Sequence, residues 1–262
     1  MIGAIIGDVV GSCFEHFPIK STEFPLLSED SRFTDDTVLT VAVAEWLLNG
    51  GPLAEIFHRC VERYPYVIYG DTFIKWAFQR DTEPYNSWGN GSAMRVSPVA
   101  YASDSLDDVL ALAKKSAEVT HNHQDGIRGA QAVAVAVYLA RTGATRGEIK
   151  HEITERFSYD LNRTLDDIRP EYHFDVSCNG SVPESMIAFL ESTCFEGAIR
   201  NAVSLGGDAD TQACIAGALA EAFYHEIPRE LHDGVFALLD ESMRGVIDEF
   251  YSRFNLPPWK LV

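Results

Sequence analysis

Thr34-Asp35-Asp36-Thr37-Val38-Leu39-Thr40-Val41-Ala42-Val43-Ala44-Glu45-Trp46-Leu47-Leu48 decides how the chain is read. Its apolar pattern over 35–48 predicts a helix. Thr34 and Asp35 suit the opening turn, and Gly50-Gly51 ends it. The same grammar recurs outward from this stretch. Residues 3–16 are apolar, with Gly3, Gly7 and Gly11 on one face where another backbone can approach closely. Ser105 with Asp108 opens a helix over 106–119. An Ala-rich helix over 125–141 stops at Gly143. Thr145 with Glu148, and Ser181 with Pro183 and Glu184, mark two further helix starts. Segments 195–204 and 209–223 flank Gly206-Gly207, and a last helical region covers 229–252. Strand signals are scarce. Tyr66-Val67-Ile68-Tyr69, between Pro65 and Gly70, reads as a strand or as an aromatic-anchored loop, and 170–180 as irregular. These segments predict an all-α fold, one compact domain over 1–262. Gly/Ser/Asn-rich loops interrupt it at 85–95 and 173–182.

The chain has 262 residues, 46% of them hydrophobic, and no apolar run long enough to span a membrane. The opening segment lacks the basic region of a signal peptide and is broken by Asp8, so a cytoplasmic protein is expected. The net charge of -18 disfavours nucleic-acid backbones and anionic membranes and favours divalent cations. An anionic substrate would need local help from metal, Arg or backbone N–H groups. Five cysteines without a C-x-x-C argue against a disulfide framework and a structural zinc site. They are expected reduced and partly buried.

Two acidic clusters stand out: Thr34-Asp35-Asp36-Thr37 and Asp208-Ala209-Asp210-Thr211, the second directly after Gly206-Gly207. Taken singly, each is explained as a helix cap, with acids suited to the helix dipole. Taken together, they offer carboxylate and hydroxyl oxygens for Mg²⁺ or Mn²⁺, and without Cys or His they do not suit zinc. The pairing is a spatial expectation: Asp35 or Asp36 must lie close to Asp210.

Several motifs occur in a characteristic order. They are Gly3-Ala-Ile-Ile-Gly7-Asp8-Val-Val-Gly11 running to Glu15, Phe33-Thr34-Asp35-Asp36-Thr37, Gly89-Asn90-Gly91-Ser92-Ala93-Met94-Arg95, Thr120-His121, Ser181-Val182-Pro183, and Ser204-Leu205-Gly206-Gly207-Asp208-Ala209-Asp210-Thr211. This ordered set, spanning 3–211, resembles the ADP-ribosylglycohydrolase family. The resemblance implies an all-α fold with two Mg²⁺ or Mn²⁺ ions at the base of a cleft. It implies hydrolysis of a glycosidic link between ADP-ribose and an acceptor: arginine or serine on a protein, or a small molecule such as an acetyl group. A non-catalytic ADP-ribose or nucleotide sensor is the alternative.

By the same resemblance, Thr34, Asp35 and Asp36 supply one side of the metal site. Asp208, Asp210 and Thr211 supply the other, with Asp210 as bridge and with Asp35 and Asp210 sharing in catalysis. Glu15 is implied as general acid/base or as the group that positions water. Gly89, Asn90, Gly91 and Ser92 are read as a loop whose N–H groups meet a diphosphate, though N-G is also a common turn pair. Arg95 either reaches the phosphates or braces the loop. His121 is placed near the nucleotide, and His121-Asn122-His123 reads as polar contacts at a helix end rather than a transition-metal site. Gln124 departs from the Pro found in many relatives, which puts the local turn in doubt. Tyr85, Tyr172 and Phe174 are possible adenine-stacking rings that are more simply core.

Overall fold

The computed structural model describes residues 1–256 and 260–262. Helix α1 (Ile2–Gly11) leads into an irregular segment over 12–34. Then come α2 (Asp35–Asn49), α3 (Leu53–Arg63) and α4 (Asp71–Phe78). Short α5 (Gly91–Met94) and α6 (Ser97–Tyr101) precede α7 (Leu106–Glu118), α8 (Gln124–Arg141) and α9 (Arg146–Phe157). A single turn, α10 (Leu165–Ile168), is followed by α11 (Cys178–Leu190), α12 (Phe195–Val203), α13 (Ala209–Tyr224), α14 (Arg229–Leu238) and α15 (Glu241–Arg253). Among the described residues the strands are two-residue pieces, β1 (Glu226–Ile227) and β2 (Lys260–Leu261), paired in parallel. The all-α expectation holds.

Local chemistry explains the helix ends. Thr34 Oγ1 accepts from the Asp36 N–H, Ser105 Oγ from the Asp108 N–H, and Thr145 with Glu148 closes a full capping box. Each such cap is worth about 1 kcal/mol. Three expected boundaries are corrected. The first helix stops at Gly11 rather than 16, because the Ser12 hydroxyl folds back on Val9 O and the chain turns outward. The helix expected to start at Ser181 starts at Cys178, capped by Ser177 through the Gly180 N–H, so Pro183 lies inside it. The last helical region is two helices: Asp240 interrupts it and caps α15 through the Met243 N–H. Tyr66–Tyr69 forms a loop, with Tyr66 edge-on to Phe33 and Tyr64.

The fold is assembled around α1, every residue of which is buried. Its Gly3, Gly7 and Gly11 face α13 so closely that a Cβ at Gly7 would stand 2.0 Å from Ala213 O, and one at Gly11 2.4 Å from Ala209 O. The Met1 ammonium and the Gly3 N–H both meet Glu221 Oε2, at 2.6 and 2.8 Å, pinning the far end of α1 to α13. Burying Ile2, Ile5, Ile6, Val9 and Val10 stabilises this contact by on the order of 10 kcal/mol. Consequently the last turn of α1 lies against the first turn of α13. A buried apolar cluster continues from there to Phe250 of α15. No helix among the described residues is long and apolar enough to cross a membrane. All five cysteines are free, and burial pushes the Cys60 and Cys178 thiols up to about 12.

Candidate active site: a carboxylate cluster between three helix ends

Asp8 organises the site from behind. It is wholly buried on α1, and its carboxylate accepts from four donors. Oδ1 takes the Thr34 hydroxyl at 2.7 Å, while Oδ2 takes the Thr34 N–H at 2.9 Å, the Thr37 N–H at 3.1 Å and the Thr37 hydroxyl. A carboxylate so surrounded tolerates burial, and it fixes the N-terminus of α2 relative to α1. Since α1 is locked to α13, the beginnings of α2 and α13 are forced together. Asp36 and Asp210, 174 positions apart in sequence, meet there. Asp8, Asp36 and Asp210 each offer an oxygen, all within 4.8 Å of one another. Thr211 Oγ1 donates to Asp36 Oδ2 at 3.3 Å across the junction. Glu15, carried back by the turn after α1, forms a second group with Asp208 and Asp210 on the same 4.8 Å criterion.

The cap reading is therefore half right. Thr34 does cap α2, but the Asp208 side chain leaves the α13 N-terminus uncapped and accepts from Asn90 Nδ2 at 2.7 Å instead. That bond ties the Gly89–Ser92 loop to the carboxylates.

Burial, followed by mutual charge repulsion, sets the electrostatics. Burial first, then the Asp210 charge, raises Asp8 to about 7, with the Thr34 and Thr37 bonds pulling back. The same two causes lift Asp35, Asp36 and Asp208 well above the usual carboxylate range, and raise half-buried Glu15. Asp210 is thus the hub of the cluster. Such a group calls for protons or cations. Asp36 Oδ1 is buried and has no hydrogen-bond partner among the described residues. An oxygen-only donor set with an orphaned carboxylate oxygen fits a hard divalent cation.

The carboxylates floor a cleft of about 370 Å³. Glu15, Asp35, Asp36, Asp208, Asp210 and Thr211 line one part, and Gly89, Asn90, Gly91, Arg95 and His121 face them. Two larger hollows, each about 640 Å³, hold neither carboxylate group. The structure brings the expected site residues together, with qualifications. Ser92 turns its hydroxyl to Gly126 O at 2.7 Å, and the Thr34 hydroxyl is spent on Asp8. Within the loop, the Gly89 and Asn90 N–H groups are used on Ser87 Oγ and Val176 O. Tyr172 wedges against Gly207 and donates to Gly180 O, so it is no open stacking ring, whereas Tyr85 and Phe174 line the cleft. His123 caps α8 through the Asp125 N–H, so Gln124 simply begins that helix. Asp8 was not among the expected site residues. Its signal was a lone charge inside an otherwise apolar helix, legible only once partners for it are seen.

An all-α protein with a carboxylate-floored cleft whose oxygens could hold a cation is the class this geometry defines. The sequence profile of ADP-ribosylglycohydrolases matches residues 1–258. ADP-ribosylhydrolase ARH3 of Mus musculus is 27% identical over 86% of this chain and 82% of its own length. ADP-ribosylarginine hydrolase Tri1 of Pseudomonas putida is 22% identical over 86% and 69%. A solved structure titled "ADP-ribosylglycohydrolase-related protein complex" superposes with a TM-score of 0.73 at 25% identity, covering 96% of this chain and 95% of that one. The chain belongs to the ADP-ribosylglycohydrolase family.

Proposed function

We propose that the chain acts as one domain over 1–262 that hydrolyses the glycosidic bond between ADP-ribose and an acceptor, releasing ADP-ribose, with two Mg²⁺ or Mn²⁺ ions bound. The acceptor is an arginine or serine side chain of a protein, or a small group such as the acetyl of O-acetyl-ADP-ribose. The observation that carries this reading is the convergence of Glu15, Asp35, Asp36, Asp208 and Asp210 opposite the Gly89–Ser92 loop in one cleft. The names of the relatives support the ADP-ribosyl part.

Asp35, Asp36, Asp208, Asp210, Thr211 and Thr34 would hold the ions, with Asp210 common to both carboxylate groups. Bound there, the ions would supply positive charge to offset the carboxylates and orient the ribose hydroxyls. Glu15 sits at the rim of the cluster with its proton affinity raised by burial and by Asp210. A carboxyl with its proton affinity raised in this way suits proton transfer, as general acid to the leaving acceptor or as base to the attacking water. The carboxylates of Asp35 and Asp210 stabilise oxocarbenium character at the anomeric carbon. The Gly91 and Ser92 N–H groups, at the first turn of α5, are the loop amides left for the diphosphate. Gly89 and Asn90 shape the loop, and His121 lies beneath it.

The test is a substrate panel of ADP-ribosylated arginine, ADP-ribosylated serine and O-acetyl-ADP-ribose, run with Mg²⁺ or Mn²⁺ and with EDTA. Release of ADP-ribose that EDTA abolishes is the expected result. Tight ADP-ribose binding with no turnover of any of the three would make the chain a sensor and refute the proposal.

A further inference from the structure

Three stretches of chain meet at one ammonium group. Lys20 belongs to the irregular strap over 12–34, five residues after Glu15. Its Nζ donates to the Leu205 carbonyl at 2.5 Å and to the Tyr172 carbonyl at 2.6 Å. Leu205 leads into Gly206-Gly207-Asp208, the turn that carries a cluster carboxylate into the cleft. Tyr172 shortly precedes Phe174 and Val176, which line the same cleft. The contact at Gly206 is steric as well. Its φ is +64°, and a Cβ there would stand 2.9 Å from Ile19 O and 3.1 Å from Lys20 Cε. A glycine in the left-handed region lets the strap lie this close to the turn.

Glu15 lies between two anchors on the strap. Before it, Phe14 packs edge-on against Phe24, with ring centres 4.8 Å apart. Arg200 of α12 holds that stretch by donating to Thr22 O at 3.0 Å and to Phe24 O at 2.7 Å. After it, His16, Phe17 and Pro18 are exposed, so burial fixes little of the backbone before Ile19 and Lys20. Hydrogen bonds from an ammonium are about twice as strong as neutral ones, and Lys20 makes two. The Lys20 clamp is therefore the downstream hold on Glu15. The segments it grips keep holds of their own. Arg169 Nε donates to Ser204 Oγ at 3.1 Å, and Asp208 accepts from Asn90 Nδ2 at 2.7 Å. Removing the clamp frees Glu15 more than it frees Asp208.

We propose that Lys20 is a positioning residue for the hydrolysis: by clamping the strap to the Tyr172 and Leu205 carbonyls, it sets Glu15 against Asp208 and Asp210. The clamp stands on geometry; its effect on turnover rests on the function proposed above. Glu15, Asp208 and Asp210 offer oxygens within 4.8 Å of one another. Lys20 is not among the residues that line the cleft, so it acts through Glu15. A displacement of about 1 Å at a reacting group can cost about 10²-fold in rate.

Lys20→Met keeps the aliphatic stem and removes the ammonium. With Mn²⁺ bound, and with the panel substrate that the wild type turns over fastest, kcat should fall about 10–100-fold while KM stays within about twofold. Lys20→Arg, which keeps the charge and the donors, should recover most of the loss. In a Glu15→Gln background, Lys20→Met should cost nothing further, because the group it positions is gone. An unchanged kcat, an equal loss in Lys20→Arg, or a full second loss on Glu15→Gln overturns the proposal. The last is what a general brace would give. Hydrogen exchange read by mass spectrometry is the arm that needs no turnover. Lys20→Met should speed exchange over 13–20 and leave α1 and α13 as protected as in the wild type. Unchanged exchange over 13–20, or lost protection across α13, overturns the clamp. If the wild type releases no ADP-ribose from any panel substrate, the proposed function fails, and the exchange pattern still decides the clamp.

Discussion

Removing divalent cations should make the protein's stability fall as pH rises. The cause is the carboxylate cluster. Asp8 moves from an ordinary 3.8 to about 7 on folding. Below about pH 4 the carboxyl is protonated in both folded and unfolded chains and contributes nothing. Between about 4 and 7 the unfolded chain loses the proton while the folded chain keeps it, so stability drops as pH climbs. Above 7 the full penalty applies. At about 1.4 kcal/mol per tenfold in proton affinity, that penalty is on the order of 4 kcal/mol. Unfolding entropy for 262 residues is roughly 0.5 kcal/mol/K, so Asp8 alone lowers Tm by about 7 °C. Asp35, Asp36 and Asp208 act in the same direction. Differential scanning calorimetry of EDTA-treated protein from pH 5 to 8 measures the slope. Mn²⁺ or Mg²⁺ should reverse it, raising Tm more at pH 8 than at pH 5.5, because the cation replaces protons that are already lost at pH 8. Asp210→Asn removes the charge that acts on every member of the cluster and should flatten the cation-free slope. A cation-free Tm that is constant or rises with pH would refute the reasoning, as would an equal slope in Asp210→Asn.

Asp210→Ala should abolish most of the cation-induced rise in Tm, read by thermal shift, because both carboxylate groups share that residue. Glu15→Gln should lose about 10²–10⁴-fold in turnover while the cation-induced Tm shift persists; near-normal turnover would remove Glu15 from the mechanism. Gly7→Ala puts a methyl 2.0 Å from Ala213 O, with rigid backbone on both sides, and should destabilise by about 1–3 kcal/mol or more in urea melts while weakening Mn²⁺ binding. Destabilisation with Mn²⁺ affinity unchanged would show that the α1–α13 contact does not set the site geometry.

Much of the site was legible because its residues occur in short, ordered blocks. Thr34-Asp35-Asp36 and Asp208-Ala209-Asp210-Thr211 announce themselves by type, and Gly3, Gly7 and Gly11 announce a close backbone contact by spacing. Asp8 is not legible as a site residue because a lone buried carboxylate has no local partner in sequence. Its four donors come from Thr34 and Thr37, the cap and first turn of another helix. The break at Asp240 and the early end of α1 were missed for a related reason: apolar periodicity continues through them, and only side-chain hydrogen bonds interrupt the helix. Asp208 misled as a cap because sequence shows what can cap, not what competes for the oxygen; Asn90 competes and wins.

By itself the sequence determined the helical architecture, the oxygen-rich character of the site and the faces available for packing. These depend on residue type and on spacings of three or four, which local physics converts directly into helices and stripes. Only the tertiary structure decided that Asp36 and Asp210 meet, that Asp8 buttresses them, and that the Asn90 loop closes on the same cleft. Those contacts depend on how α1 lies along α13, which is set by a steric match between glycines and backbone carbonyls on distant segments of the chain.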